Sequence, residues 1–360
     1  MSRDLYVRLI DRLNKFEYEY PVVESYINMI QYIYPEEHAL IAADFPETAK
    51  TAPELAKILG KDEKEMADML ESMANTGSLF VKKAEDGTPM YELLPFMPGY
   101  FDMAVIHSDD ERAMNIYRLH EEVRKDHAES RLKMMEDNKG TEKSPMPILR
   151  TLTINEALPQ DTKIFSFEEL KSLVDEETSF AATKCLCRRM ASVKGNPCQA
   201  NVPEYSCLAF GDVAEYSIER GYGKKITKEE CLETIDACAK SGAVHNSNNY
   251  TEKLQLLCNC CSCCCGALAV AREVGNGIVI NSTNFAVNYD AESCTACGDC
   301  VEICPVDAME MVGDAVSIKE NFCMGCGNCV NTCEMNSLTM KRIGSDKPTL
   351  EGRKKVGFGF

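Results

Sequence analysis

The feature that most constrains this chain lies in its last third, where Tyr289–Met340 is one cysteine pattern written twice. The first copy runs Cys294-x2-Cys297-x2-Cys300-x3-Cys304 and continues into Pro305; the second runs Cys323-x2-Cys326-x2-Cys329-x3-Cys333. Each cysteine of one copy lies 29 positions from its counterpart (323 − 294 = 29; 333 − 304 = 29). The flanks repeat too, CTACGDCVEIC against CMGCGNCVNTC and AMEM against SLTM. Two x2 steps place three thiolates on one tight loop. The x3 step is expected to put the fourth on the first turn of a following helix, directed away from that loop, so that it serves the other site. Site I is then Cys294, Cys297, Cys300 and Cys333, and site II is Cys323, Cys326, Cys329 and Cys304.

This segment closely resembles the bacterial two-cluster ferredoxins, and the resemblance implies a 4Fe-4S cubane at each site. Zinc four-cysteine sites come as two separated C-x2-C pairs rather than a triple with a crossed fourth ligand. Disulfides need an oxidising compartment and are typical of small secreted chains. One departure is visible: Pro305 follows the fourth cysteine of the first copy, whereas Glu334 follows that of the second. A carboxylate there disfavours the electron-rich state and lowers the potential of cluster I.

With 360 residues the chain has room for two or three domains. The expected class is α+β and multidomain: a helical, winged-helix-like domain over 1–140, a cysteine-rich middle domain over 145–283, a ferredoxin-type dicluster domain over 284–345 and a basic tail over 346–360. Net charge is −18, which repels nucleic acid and anionic membranes and favours a partner with a basic patch. Twenty cysteines without a secretion signal or an apolar run of membrane length point to reduced thiols or metal ligands in the cytoplasm.

Towards the N-terminus, amphipathic stretches cover Leu5–Leu13 and Val23–Tyr34. Thr51 caps a short helix that ends at Gly60, a second helix runs from Asp62 to Asn75 and closes at Gly77, and SLFVKK and PMYELL form a hairpin across Glu85-Asp86-Gly87. Helix, turn, helix and hairpin in this order resemble a winged-helix domain. DNA binding is disfavoured: residues 44–92 hold six Lys and no Arg against eleven Asp and Glu, and the groove-facing helix would carry Asp62, Glu63, Glu65, Asp68 and Glu71. A docking module of this shape is the reading that fits the charge. A long polar helix over Phe101–Asn138 and a linker from Lys139 to Pro147 follow.

The middle region reads as mixed α/β, with strands at ILRTLTI, TKIFS and Phe180–Thr183. Ser166 with Glu169 forms a capping box for a helix over Phe167–Asp175. Helices cover Asp212–Glu219 and the segment capped by Thr227 and Glu230. Cys231 and Cys238 share a face of the latter and read as helix packing. Cys185, Cys187, Cys198 and Cys207 precede the block Cys258, Cys260, Cys261, Cys263, Cys264 and Cys265, and Arg188 and Arg189 stand beside the first pair. Six thiols in eight residues exceed what packing explains and would oxidise if left unligated. These ten cysteines are candidate ligands for one or two further Fe–S clusters. The Cys264-Cys265-Gly266 triplet is also similar to the CCG modules of heterodisulfide-reductase subunits, although the spacing to other cysteines differs. C-x-C-R-R, CNCC-x-CCC and a ferredoxin domain in that order resemble a group of large iron–sulfur proteins of anaerobic bacteria, over residues 145–340. His245 reads as a core or turn histidine, with ligation or proton donation as its other roles.

No dinucleotide fingerprint, Walker loop or Ser–His–Asp signature is present. The resemblances imply an electron-transfer protein that passes single electrons to a flavoprotein or metalloenzyme partner, as a carrier or a subunit of an oxidoreductase complex. The rivals are a reductase with an open iron site in the middle domain and a redox-sensing regulator, which would need a basic groove-facing helix.

Overall fold

The duplication in the sequence is a duplication in space. In the computed structural model, which describes residues 3–16, 22–106, 110–138, 147, 149–249, 254–277 and 279–344, the described residues fall into two compact units. One takes the chain up to 145 together with Tyr216–Gly223; the other takes 146–215 and the chain from 224 onward. The expected basic tail and nearly all of the expected linker lie outside the described residues. No helix among those described is long and apolar enough to cross a membrane.

The first unit begins with α1 (Arg3–Leu13), α2 (Glu24–Ile33) and α3 (Glu36–Ala42), the last of which the sequence reading did not separate. Then come α4 (Ala52–Leu59), α5 (Glu63–Asn75), the hairpin of β1 (Phe80–Lys83) and β2 (Pro89–Glu92), α6 (Phe101–Val105) and α7 (Glu111–Asn138). Thr51 and Glu54 form the capping box of α4, and Gly60 ends it in the left-handed conformation. The Asp62 carboxylate accepts the Lys64 and Glu65 N–H groups at 2.9 and 3.0 Å and so starts α5. Glu63, Glu65 and Asp68 of α5 are exposed. The 216–223 segment is tied in by polar contacts that pattern reading missed. Tyr216 and Tyr222 both donate to the Ala74 carbonyl at 2.9 Å, and Arg220 meets Glu71 at 2.7 Å.

The second unit is built on a seven-stranded sheet of β3 (Leu149–Leu152), β4 (Phe180–Lys184), β5 (Tyr205–Phe210), β6 (Lys224–Lys225), β7 (Val244–Asn248), β8 (Leu256–Cys260) and β9 (Ile280–Asn281). The order is β6-β4-β5-β8-β7-β3-β9, antiparallel except for β3 with β9. Side chains alternate between faces, so the register sorts them. Leu208 opposite Leu257, with Leu152 and Ala182, packs onto α8 (Leu170–Asp175) and α11 (Lys228–Lys240). Cys231 of α11 lies in that core and Cys238 is equally buried, as helix packing requires. The opposite face carries Cys207 against Cys258 and Val244 against Cys260. This end of the sheet is continued by α9 (Leu186–Val193) after β4 and α12 (Gly266–Val274) after β8, and α10 (Gly211–Glu219) follows β5.

Two local expectations need correction. Residues 162–166 form no strand. The cap before α8 is also one residue earlier than expected: Glu168, not Glu169, accepts the Phe165 N–H at 3.0 Å. Glu168 is drawn inward because the Arg342 fork clasps both its oxygens, at 2.8 and 2.6 Å, and Asn284 donates to it at 2.8 Å.

The C-terminal part of this unit interleaves the repeats. β10 (Phe285–Tyr289) pairs with β13 (Leu338–Arg342), and β11 (Met309–Val312) pairs with β12 (Ala315–Ile318), all antiparallel. Each copy thus gives one strand to each ribbon. The short helices α13 (Asp299–Glu302) and α14 (Asn328–Thr332) each contain the third cysteine of their copy, Cys300 and Cys329, and end just before the fourth. The fourth cysteine therefore stands just past a helix and not on its first turn. Gly298 and Gly327, with φ of 87° and 88°, start these helices in the left-handed region that glycine tolerates, which brings the turn of helix forward.

Candidate metal centres

Backbone geometry repeats at the two cysteine loops as the sequence does. Left-handed conformations fall at Ala296 and Gly325, Gly298 and Gly327, and Asp307 and Asn336, each pair 29 positions apart. These turns aim backbone N–H groups at sulfur. Ala296 donates to Cys294 at 3.4 Å and Ala308 to Cys304 at 3.2 Å. Gly325 and Val287 donate to Cys323, and Asn328 to Cys326. The Tyr289 hydroxyl adds a further donor to Cys294.

One small pocket is lined by Cys304 together with Cys323, Cys326 and Cys329, and by Val287, Val306 and Met324 among others. Cys304 is thus the fourth sulfur beside the second copy's loop. Cys294, Cys300 and Cys333 belong to an apolar cluster with Ile154, Phe285 and Met309 that also takes in Cys304, Cys323 and Cys329, and Cys297 is exposed. Burial pushes the Cys300, Cys323 and Cys329 thiols up, and Cys326 to about 12. Thiols so placed do not ionise without a positive core beside them. With N–H donors aimed at their sulfurs, they fit an iron–sulfur cubane and not free cysteines.

Residues 286–334 match the family profile of the 4Fe-4S dicluster domain. The C-terminal repeat is a 4Fe-4S dicluster domain. Its two clusters are the chain's two 4Fe-4S cofactors, and iron–sulfur electron transfer is the chemistry it carries. A curated relative is similar over 60 residues at 38% identity: NADH-quinone oxidoreductase subunit I 2 of Geobacter metallireducens. That match covers 16% of this chain and 46% of the relative, so the chain spans about half the length of the curated protein it matches. No solved structure matches the chain.

Beside the dicluster domain, the ten further cysteines separate into two sets. Six form a closed ring of sulfur contacts: Cys185 with Cys187 and Cys207, Cys207 with Cys258, Cys258 with Cys260, Cys260 with Cys265, and Cys265 back to Cys187. The fold explains the ring. Cys207 and Cys258 are cross-strand partners, Cys260 is two residues on along β8, and Cys185 and Cys265 are the residues at the N-termini of α9 and α12. Cys185, Cys260 and Cys265 are buried and the other three half-buried. Hydrogen bonds from Cys207 and Cys260 bring Cys258 down to about 6, whereas Cys187 and Cys207 are held high by donating to Cys185 and by burial.

The other four, Cys198, Cys261, Cys263 and Cys264, have sulfurs all within 4.8 Å of one another. Arg188 stands between the sets. Its field reaches Cys185 and Cys207 of the ring and Cys261 and Cys198 of the tetrad. Its guanidinium is fixed by the carbonyls of Pro203 at 2.7 Å and Asn259 at 3.2 Å. The C-x-C-R-R motif signalled this counter-charge; nothing in the sequence signalled the split of ten cysteines into six and four.

His245 is wholly buried on β7, and its Nδ1–H donates to Asn259 Oδ1 at 2.6 Å, because Asn259 Nδ2 is committed to the Ser206 carbonyl. Burial holds its pKa low, so the ring is neutral. It is a core histidine, facing away from Cys258 and Cys260 on the other face of the sheet.

Proposed function

We propose that the chain passes single electrons between its iron–sulfur sites and a redox partner, as a carrier or as a subunit of an oxidoreductase complex. The dicluster ligands are crossed in this reading: Cys294, Cys297, Cys300 and Cys333 hold cluster I, and Cys323, Cys326, Cys329 and Cys304 hold cluster II. The ring of Cys185, Cys187, Cys207, Cys258, Cys260 and Cys265 holds a further cluster. Each bound cluster supplies a one-electron couple, and full thiolate ligation leaves no iron open to a substrate.

The observation that carries the reading is continuity of packing. Cys258, Cys260 and Cys265 share one apolar core with Cys304, Cys323 and Cys326, joined by Val244, Leu268, Val306 and Met324. The α12 helix links the two sides: Arg272 donates to the Ser262 carbonyl at 2.8 Å and the Pro305 carbonyl at 3.1 Å. Just beyond α12, Asn276 donates to the Cys323 carbonyl at 2.6 Å. Such a core excludes water and holds ring and cluster II close. The first copy's loop leads outward to exposed Cys297. Around it Asp290, Glu292, Asp299, Glu302 and Glu334 are all exposed, an acidic rim suited to a partner with a basic patch, such as a flavoprotein. The winged-helix-like segment, with the acidic exposed face of α5, acts as a docking module in this reading and not as a DNA reader. Growth without oxygen is the setting that an exposed cluster ligand such as Cys297 favours.

Anaerobic redox titration followed by electron paramagnetic resonance tests the proposal. At least two one-electron 4Fe-4S couples are expected, with reoxidation by a cationic one-electron acceptor faster than by an anionic one and slowed by salt. A chain that binds iron yet exchanges no electrons with either acceptor contradicts it.

A further inference from the structure

The ten middle cysteines differ in how tightly their sulfurs converge, and that difference bears on what each set binds. In the tetrad Cys198 Sγ lies 3.5 Å from Cys261 Sγ and 3.6 Å from Cys263 Sγ, and Cys263 Sγ lies 3.6 Å from Cys264 Sγ. A tetrahedral ion with metal–sulfur bonds of about 2.3 Å sets its thiolates about 3.8 Å apart along each edge. The ligands of a cubane sit outside its iron corners, on the order of 6 Å apart. Among the described residues only this tetrad gathers three or more such ligand atoms within 4.8 Å of one another; neither the dicluster sites nor the six-sulfur ring does so.

From this convergence we propose that Cys198, Cys261, Cys263 and Cys264 bind one divalent transition-metal ion, zinc or iron, as a mononuclear tetrathiolate, rather than an Fe–S cluster. The four ligands close the coordination sphere, so the site is structural. Three come from the turn between β8 and α12. The fourth, Cys198, comes from residues 194–204, which form no helix or strand and are largely exposed. The ion pins this loop to the turn. The consequence reaches the neighbouring ring, because the same loop supplies the Val202 and Pro203 carbonyls that fix Arg188. A loop freed of its metal lets the counter-charge of the ring drift.

The inference stands apart from the electron-transfer proposal, since a mononuclear site adds a metal ion without inorganic sulfide. Metal and acid-labile sulfide are measured on the full chain prepared without oxygen, and on Cys198→Ser/Cys263→Ser. The variant is expected to lose one zinc or iron per chain with sulfide unchanged, and to become more sensitive to protease within 194–204. Loss of about four irons with about four sulfides, or no metal loss at all, overturns the proposal. A second arm needs no substitution: cobalt(II) offered to the native chain after mild chelation should enter at one ion per chain with intense thiolate-to-cobalt absorption. Failure of cobalt to enter, or a spectrum without thiolate ligation, contradicts the mononuclear site even if the double variant does not fold.

Discussion

The two copies of the cysteine loop share spacing, turn geometry and donor pattern, yet one lies at the surface and the other inside. In the first, Thr295, Cys297 and Asp299 are exposed and only Cys300 is buried; in the second, every residue from Met324 to Cys329 is buried. The walls of the second are elements of the seven-stranded sheet and its connections: Ile154 donates its N–H to Cys326 O at 3.0 Å, Thr153 donates to Gly325 O at 2.8 Å, and Asn328 donates to Gly242 O at 2.7 Å. A symmetric fold has been given a direction, with an inner site against the thiol ring and an outer site open to solvent.

The largest expected effect comes from the clasp that holds the end of the second copy. Arg342 and Glu168 form a largely buried pair, 18% and 5% exposed at the side chain. The first copy has Gly313 at the corresponding place, in a turn. Arg342→Met strands the Glu168 carboxylate and should cost about 3–5 kcal/mol in anaerobic denaturant unfolding. A cost below about 1 kcal/mol would mean the second copy is not anchored there.

Next is the turn itself. A methyl at Gly325 would sit 2.1 Å from Thr283 Oγ1 and 2.3 Å from the Phe285 carbonyl oxygen, at a φ of +70°. Gly325→Ala should therefore destabilise by about 3 kcal/mol and release the iron of cluster II. The equivalent residue of the outer copy is already an alanine in the left-handed region, φ 59°, so Ala296→Gly should stabilise by up to about 1 kcal/mol. Equal responses at the two positions would erase the distinction between inner and outer loops.

Smaller still is the electrostatic effect of the acidic rim. Asp299→Asn with Glu302→Gln removes two exposed charges beside cluster I, and should slow electron delivery to a cationic acceptor several-fold at low salt with little change at high salt. An effect that persists in high salt would assign those carboxylates a role other than steering.

Much of this was legible in the residues. The doubled C-x2-C-x2-C-x3-C spacing carries the dicluster domain by itself, and the caps at Thr51 and Thr227 locate their helices because those signals are local. What the sequence hid is long-range. The fourth cysteines stand past a helix because glycines at 298 and 327 start that helix early. Glu168 caps in place of Glu169 because Arg342, 174 positions away, turns it inward. The division of ten cysteines into a ring and a tetrad depends on which strands neighbour one another, and β5 against β8 is a pairing that spacing along the chain does not encode.

The crossed ligation that separates the inner from the outer cluster is tested most directly by comparing Cys304→Ala with Cys333→Ala in anaerobic full-length protein. The two reduced clusters are followed by electron paramagnetic resonance while a water-soluble chelator strips iron. Cys304→Ala should lose or convert the inner cluster and keep one that the chelator removes quickly, because its ligand Cys297 is exposed; Cys333→Ala should keep the slowly stripped inner one. The reverse assignment, with Cys304→Ala sparing the protected cluster, would contradict the account.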